Sequence, residues 1–221
     1  MIFGMWDQAY FYIGPIPVDH LVVTQWGIIV LIVLFCFFAT RKMNVVPKGL
    51  QNVLEFLITW TYEFFGEVFE DKHIARRVGP LLATFFIFIV VCNYSGIIPG
   101  AGALEGFQPP TGNWNMTLAL ALITFGYVHY IGLKENKLHY FKRFANPINI
   151  LEEFTHPLAL TLRLFGNIFA EETVLVAMLF LAPFVVPTAL MGLTLLLGAV
   201  QALVFTLLTA TYISSAAGKG H

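Results

Sequence analysis

Charged residues are scarce in this sequence. Only 11% of the 221 residues are Asp, Glu, Lys or Arg, whereas 58% are hydrophobic and 22 are Phe. Soluble domains carry about 25% charged and about 45–50% apolar residues. This composition excludes an ordinary soluble domain and indicates an integral membrane protein. We therefore expect the lipid bilayer among its partners, and no nucleic acid.

Cysteine is nearly absent as well. Cys36 and Cys92 both lie in apolar runs, without CxxC spacing. This predicts free, buried thiols and neither a disulfide framework nor a metal site, and nothing else in the sequence indicates a cofactor. The N-terminal segment has no basic region and no small-residue cleavage site before the first apolar run, so we expect no cleaved signal peptide.

Long apolar runs dominate the rest of the chain, and no internal repeat or soluble domain interrupts them. We therefore predict an all-α integral membrane protein with one membrane domain over residues 1–221 and residues 1–20 as an outside N-terminal segment. Five runs are long enough to cross a bilayer: 21–40, 80–98, 116–133, 148–181 and 188–214.

The positive charges predict an orientation. With the N-terminus outside, the segments 1–20, 99–115 and 182–187 face outward, and they contain no Lys or Arg. Such a bias matches the positive-inside rule, and it predicts five crossings with the C-terminus in the cytoplasm. The basic residues that then face the cytoplasm are Arg41, Lys42, Lys48, Lys72, Arg76, Arg77, Lys134, Lys137, Lys142, Arg143 and Lys219.

An amphipathic segment separates the first two runs. In residues 47–71, polar residues recur at helical spacing beside an aromatic face, and Pro47 fits a helix start. This pattern predicts a helix that lies in the cytoplasmic interface or packs along the bundle. Its acidic stripe is equally well explained as an ordinary solvated face.

The last two runs are too long for upright crossings. Residues 148–181 would form a helix of about 50 Å, against a hydrocarbon core of about 30 Å. We expect residues 148–214 to form a steeply tilted helical hairpin that turns at 182–187. Such a tilt suggests a shape fitted to a partner rather than to lipid.

Polar residues inside this hairpin form a stripe. Arg163 lies within an apolar stretch, where an arginine costs about 2.5–3.5 kcal/mol on insertion scales. At about 100° per residue, Glu172 projects to the opposite side from Arg163. Antiparallel pairing brings Gln201, which shares a face with Thr194 and Tyr212, to the depth of Arg163. The residues on the Arg163 side of the helix are Asn149, Glu152, Glu153, His156, Asn167 and Glu171.

Each polar residue also has an ordinary structural explanation. Arg163 can form an ion pair inside the bundle, although its nearest acids in sequence are Glu153 and Glu171, about 15 and 12 Å away along a helix. The four glutamates can be interfacial acids that reach water, His156 a buried or snorkelling histidine, and Tyr212 an interfacial aromatic. Asn167 and Gln201 can be simple interhelical hydrogen-bonding residues.

Together, however, the polar groups approach one arginine from both sides. This arrangement indicates two incomplete proton paths, because a continuous aqueous pore would dissipate the membrane potential. Arg163 is always charged, and its distance from internal acids favours an anionic group on another chain or ligand as its partner.

Several motifs resemble subunit a of the F-type ATP synthases. "LTLRLFGNIFAEE" is similar to the family motif LRLFGN…AGE, and "VQALVFTLLTATYI" to QAFIF…LT…Y in its last helix. "NYSGIIPG" at 93–100 and "PKGLQNVLEF" at 47–56 resemble two further family segments in the same order. The resemblance covers nearly the whole chain.

The resemblance implies a non-catalytic stator channel in the bacterial plasma membrane. Its partners would be a ring of c subunits, the peripheral-stalk b subunits and the rest of the ATP synthase. Arg163 matches the essential arginine that faces the ring carboxylate, and Asn167 and Gln201 match polar residues beside it. Glu172 matches the acid of the outside half-channel. The pair Glu152-Glu153, with His156 nearby, resembles the acids of the cytoplasmic exit.

Two positions depart from the family pattern. Glu171 stands where the family often has glycine, so the outside path can use either carboxylate or both. Thr194 stands where some members have a histidine paired with the Glu172 equivalent. Thr194 and Tyr212 can order water but cannot replace that histidine as a titrating group near neutral pH.

Two other classes of function were weighed on the sequence. A self-contained secondary transporter is disfavoured because no inverted repeat or matched pair of broken spans is evident. An intramembrane enzyme is disfavoured because HExxH and GxSxG are both absent from the sequence.

Overall fold

The computed structural model describes residues 9–13, 16–41, 43–96, 109–136, 147–181 and 185–218. These residues form six α-helices, a short two-stranded hairpin and one 3₁₀ turn. In chain order they are β1 Ala9–Ile13, β2 Ile16–Asp19, α1 His20–Thr40, α2 Leu50–Gly66, α3 Lys72–Ser95, the 3₁₀ turn Pro110–Gly112, α4 Trp114–Asn136, α5 Pro147–Leu181 and α6 Val185–Ala217.

Four of these helices are long and apolar enough to cross a membrane: α1, α3, α4 and α6. They correspond to four of the five predicted crossings, and the prediction of a helical, multi-pass membrane protein is confirmed to that extent. The remaining segment forms α5, which carries four glutamates and Arg163 along its length. Its crossing, and the tilt of the α5–α6 hairpin, stay predictions.

The N-terminal strands were not foreseen in the sequence. β1 pairs antiparallel with β2, with Ile13 opposite Ile16 and Ala9 opposite Asp19. Strand β1 has the sequence AYFYI, which is rich in residues that favour strands. The hairpin leads directly into α1 at His20.

The starts of two helices differ from the predicted limits because of a backbone angle in one and a capping hydrogen bond in the other. The amphipathic helix predicted at 47–71 spans only Leu50–Gly66. It begins as late as Leu50 because Gly49 before it has a φ of 59°, outside the right-handed helical region. Helix α3 begins at Lys72, well before the apolar run at 80–98, because the Asp71 side chain accepts a hydrogen bond from the His73 N–H at 2.7 Å.

The hairpin turn predicted at 182–187 is also too long. Helix α6 begins at Val185, so Pro187 lies in its first turn. The N–H groups of a first turn have no acceptor within the helix, so the missing N–H of proline costs no hydrogen bond there. Residues 182–184 lie outside the described part of the chain, as do the basic residues Lys42, Lys137, Lys142, Arg143 and Lys219 and most of the predicted outside segment 99–115.

The core lies between α3, α4, α5 and α6. One cluster of fully buried side chains, centred on Val78, Ile131 and Ile213, joins α3, α4 and α6. A second cluster adds α5 through Leu160 and Leu164. Helix α2 packs along α3 and inserts Phe65 into the first cluster. The amphipathic helix therefore packs along the bundle, and its place in the cytoplasmic interface stays a prediction.

Candidate functional site

The α5–α6 pair carries a polar centre at mid-length. Asn167 on α5 donates a hydrogen bond from Nδ2 to Oε1 of Gln201 on α6 at 2.7 Å. Gln201 is only 6% exposed, and its Nε2 has no hydrogen-bond partner among the described residues. The hydrogen bond confirms the predicted antiparallel pairing that brings Gln201 to the depth of Asn167.

Arg163 lies one helical turn before Asn167, and its side chain is exposed on the surface of the helix. In the described part of the chain, neither of the two ion pairs involves Arg163. A guanidinium so placed in a hydrophobic helix is available to an anion outside this chain.

The two acids at the start of α5 have different environments. Glu152 is exposed, whereas Glu153 is only 5% exposed. The Glu153 Oε1 atom lies 3.1 Å from Nδ1 of His129 on α4. The sequence reasoning treated the acids as one pair and missed His129, although a histidine in the apolar stretch TFGYVHYIG of α4 was a usable signal.

His156 and Tyr212 are the next polar side chains beside Glu153. Their rings stack across the α5–α6 interface, with centroids 4.0 Å apart and an interplanar angle of 11°. Glu153, His156 and Tyr212 line a small cavity of about 10 Å³ between α4, α5 and α6. That volume is at the lower limit for one water molecule.

Glu171 and Glu172 lie at the other end of the stripe. Glu171 Oε2 and Glu172 Oε1 are buried without a hydrogen-bond partner among the described residues. Gly112 of the 3₁₀ turn faces Glu172 so closely that a Cβ atom there would lie 3.4 Å from both carboxylate oxygens. Buried polar atoms are normally hydrogen-bonded, and exceptions often mark functional sites or bound water.

A second polar set, which sequence reasoning did not single out, holds this 3₁₀ turn in place. Thr111, which is fully buried, donates from Oγ1 to Asn93 Oδ1 at 2.7 Å. Asn93 on α3 in turn donates from Nδ2 to the Gly198 carbonyl of α6 at 2.9 Å. Asn93 opens the motif NYSGIIPG, so the sequence contained a signal for it.

Thr194, the position that departs from the family histidine, is half-buried on α6. No hydrogen bond joins Thr194 to Glu172. Within the described residues, no group of three or more His, Cys, Asp or Glu could hold a metal ion.

Comparison with known proteins agrees with the motifs. Residues 22–214 match the model of the family described as "ATP synthase A chain". The chain is 41% identical to ATP synthase subunit a of Moorella thermoacetica, over 93% of this chain and 94% of that protein. It is 40% identical to ATP synthase subunit a 2 of a Bradyrhizobium species, over 95% and 93% of the two chains. It is 39% identical to ATP synthase subunit a of Gloeobacter violaceus, over 92% and 86%. On this evidence, the chain belongs to the ATP synthase A chain family.

Proposed function

We propose that this chain is the ion-conducting stator subunit in the membrane sector of a rotary ATP synthase. It provides two offset half-channels that deliver protons to ring carboxylates and take them away, and it thereby couples proton flow to rotation and ATP synthesis. The subunit itself catalyses no reaction of ATP.

The observation that carries this proposal is the position of Arg163. The side chain is exposed on a hydrophobic helix, forms neither of the two ion pairs in the described residues and lies one turn from the Asn167–Gln201 hydrogen bond. A purely structural arginine would be expected to bury its charge against an internal acid. An exposed one suits a carboxylate that passes along the outer face of α5.

The two acidic groups supply the half-channels. Glu171 and Glu172 form the outside half-channel, where their buried oxygens, which have no hydrogen-bond partner among the described residues, suit ordered water. Glu152, Glu153 and His156 form the cytoplasmic half-channel. Thr194 and Tyr212 order water beside the two paths.

The physical chemistry of the ring carboxylate accounts for the coupling. A charged carboxylate is costly in lipid, so it crosses the lipid-facing part of its circuit protonated. When it faces Arg163, the neighbouring positive charge lowers the pKa of that carboxyl and it releases its proton. Each proton that crosses the membrane gains about 2.3 kcal/mol per 100 mV. Arg163 also repels protons and so prevents direct flow from one half-channel to the other.

The same proposal names the partners of the chain, its membrane and its orientation. Its partners are the ring of c subunits, the peripheral-stalk b subunits and the rest of the complex in a bacterial plasma membrane. The chain is one membrane domain with its N-terminus outside and its C-terminus in the cytoplasm. Residues 148–214 are the ion-translocating tilted hairpin, α5 supplies the fifth crossing, and α2 lies at the cytoplasmic interface.

Arg163 variants in inverted membrane vesicles test the proposal. Arg163→Lys keeps a cation but replaces a planar, permanently charged group by an ammonium that loses its proton more readily on burial. We expect it to abolish ATP-driven proton pumping, measured by fluorescence quenching, while the subunit still assembles. Arg163→Ala should in addition raise passive proton permeability after the soluble catalytic sector is removed, because the barrier between the half-channels is lost.

Arg41→Ala is the matched control, since Arg41 is an exposed arginine outside the helices, and it should leave pumping unchanged. Coupled pumping near the wild-type rate in Arg163→Ala vesicles would reject the proposal, and Arg163 would then have a structural role.

A further inference from the structure

The contact between α4 and α5 at Glu153 extends the cytoplasmic half-channel to a residue that the motifs of the family resemblance do not contain. We propose that His129 is a proton-relay residue, which exchanges protons between Glu153 and the cytoplasmic water. This inference rests on the proposed function, because it assigns a role within the cytoplasmic half-channel.

The burial of Glu153 is the first step of the argument. Glu153 has a 6% exposed side chain, whereas the side chain of His129 is 24% exposed. A nearly buried carboxylate exchanges protons with bulk water slowly unless a neighbouring group carries them. His129 touches the carboxylate at 3.1 Å, and its ring is partly exposed at the surface of the helix bundle, so it leads from the buried carboxylate to that surface.

The chemistry of imidazole is the second step. Histidine changes charge near neutral pH and can take up a proton at one ring nitrogen while it gives one up at the other. A protonated Glu153 transfers its proton to Nδ1 of neutral His129, which leaves a carboxylate and an imidazolium. The imidazolium ring then rotates, loses the Nδ1 proton to water and rotates back, which restores the starting tautomer.

Two further polar side chains lie beside Glu153. The cavity beside Glu153 is lined by His156 and Tyr212, whose rings stack. Glu153 lies about 15 Å from Arg163 along the helix axis, and His156 stands between them in the sequence.

Two fixed charges toward the end of α4 are paired with each other. Arg77 Nη1 of α3 lies 2.8 Å from Glu135 Oε1 of α4, so these two charges compensate each other. The ring of Phe125 also contacts His129, with centroids 4.1 Å apart. An aromatic edge holds the imidazole in position without taking up a proton.

The route through the bundle makes different demands on the two adjacent acids. Glu153 faces His129 and the cavity, whereas Glu152 is exposed on another face of α5. A proton that leaves by way of His129 passes Glu153 first. The matched control is Glu63→Gln, because Glu63 is an exposed glutamate of α2 that has no part in either proposed half-channel.

The test measures passive proton flux in inverted vesicles of the assembled complex after the catalytic sector is removed. In these vesicles the cytoplasmic face contacts the medium. Loss of a proton-transfer group costs about 100-fold or more where that transfer limits the rate. We expect His129→Gln and Glu153→Gln each to lower the flux at least tenfold in dilute buffer, and Glu63→Gln to lower it less than twofold.

A relay is distinguished from a structural role by buffer rescue. In His129→Gln vesicles, a concentrated impermeant buffer such as MOPS should restore most of the flux, because buffer molecules replace the imidazole as proton acceptor. It should not restore Glu153→Gln, which lacks the inner group. Flux of His129→Gln at the wild-type level, or a loss that buffer leaves unchanged in a fully assembled complex, would overturn the inference.

If His129→Gln does not assemble, the Glu153→Gln and Glu63→Gln pair decides, since equal flux in both variants would overturn the route through the bundle. The proposed function is judged separately by Arg163→Ala. Normal behaviour of His129→Gln together with loss of coupling in Arg163→Ala would reject the relay and keep the stator assignment.

Discussion

At the scale of single residues, two adjacent carboxylates share one end of the polar stripe. Glu171 and Glu172 each have a buried oxygen without a hydrogen-bond partner in the described part of the chain. Glu172 lies against Gly112, so it also contacts the segment that precedes α4. Because both acids are half-buried, each can accept protons from ordered water.

We expect the two acids to substitute partly for each other. Glu172→Gln should reduce ATP-driven proton pumping by about two- to tenfold, because Glu171 can still transfer protons when Glu172 cannot. The double variant Glu171→Gln/Glu172→Gln should nearly abolish pumping. Fluorescence quenching in inverted vesicles measures both effects.

Glu171→Gln alone serves as the control for an indirect effect on assembly. If Glu172→Gln already removes all pumping, Glu171 is an ordinary interfacial acid and the outside half-channel uses one carboxylate.

At the scale of secondary-structure elements, side-chain hydrogen bonds to Asn93 join three elements near Glu172. The fully buried Thr111 hydroxyl bonds Asn93, and Asn93 bonds the Gly198 carbonyl of α6. Helices α3 and α6 approach each other closely there: a Cβ atom added to Gly198 would lie 3.2 Å from the Asn93 Cβ. The 3₁₀ turn is thus fixed to two helices of the bundle.

Removing one hydroxyl from this set should destabilise the protein. Thr111→Val keeps the side-chain shape but leaves Asn93 Oδ1 buried without its donor, which costs about 1–3 kcal/mol. We expect a lower midpoint of thermal unfolding for the purified membrane sector. Gly112 would also lose its fixed position beside Glu172, so pumping should fall as well.

Thr84→Val is the matched control, because the exposed Thr84 hydroxyl bonds only the Pro80 carbonyl of its own helix. It should change the unfolding midpoint little. Equal midpoints for the two variants would contradict the role of Asn93 and Thr111 in fixing the turn.

The helices were predictable from sequence because long apolar runs leave the chain few alternatives in a membrane. The ends of the helices were less predictable. The backbone angle of Gly49 delays the start of α2, and the Asp71 side chain caps α3 and so lets it begin before the apolar run. Within the site, the depth of Gln201 followed from antiparallel geometry. The link between His129 and Glu153 did not follow, because it joins two helices whose rotation about their axes is set by packing and not by spacing along the chain.

At the scale of the whole molecule, orientation is the prediction that controls every assignment of inside and outside. The exposed Lys134 near the end of α4 and Arg41 after α1 both belong to the proposed cytoplasmic side. The predicted orientation rests on the distribution of positive charge.

Single-cysteine labelling checks this orientation. In a background with Cys36→Ser and Cys92→Ala, a cysteine at Lys137 should react with an impermeant reagent in inverted vesicles and not in intact cells. A cysteine at Gly102, within the predicted outside segment, should show the opposite pattern. Labelling of the Lys137→Cys protein from the outside of intact cells would reverse the orientation.

Helix α1 differs from the other candidate spans in how little of it the protein covers. Only 11% of its apolar window is buried, against 28–44% for the windows of α3, α4 and α6. A helix that its own chain covers so little gains most of its stability from insertion itself and not from packing in the bundle. During biogenesis, α1 can therefore enter the bilayer from the translocon and remain there before the later helices have been synthesised. Selection on most of its side chains then acts on apolarity and not on shape, and α1 should tolerate exchange for an unrelated membrane anchor better than any other helix of the chain.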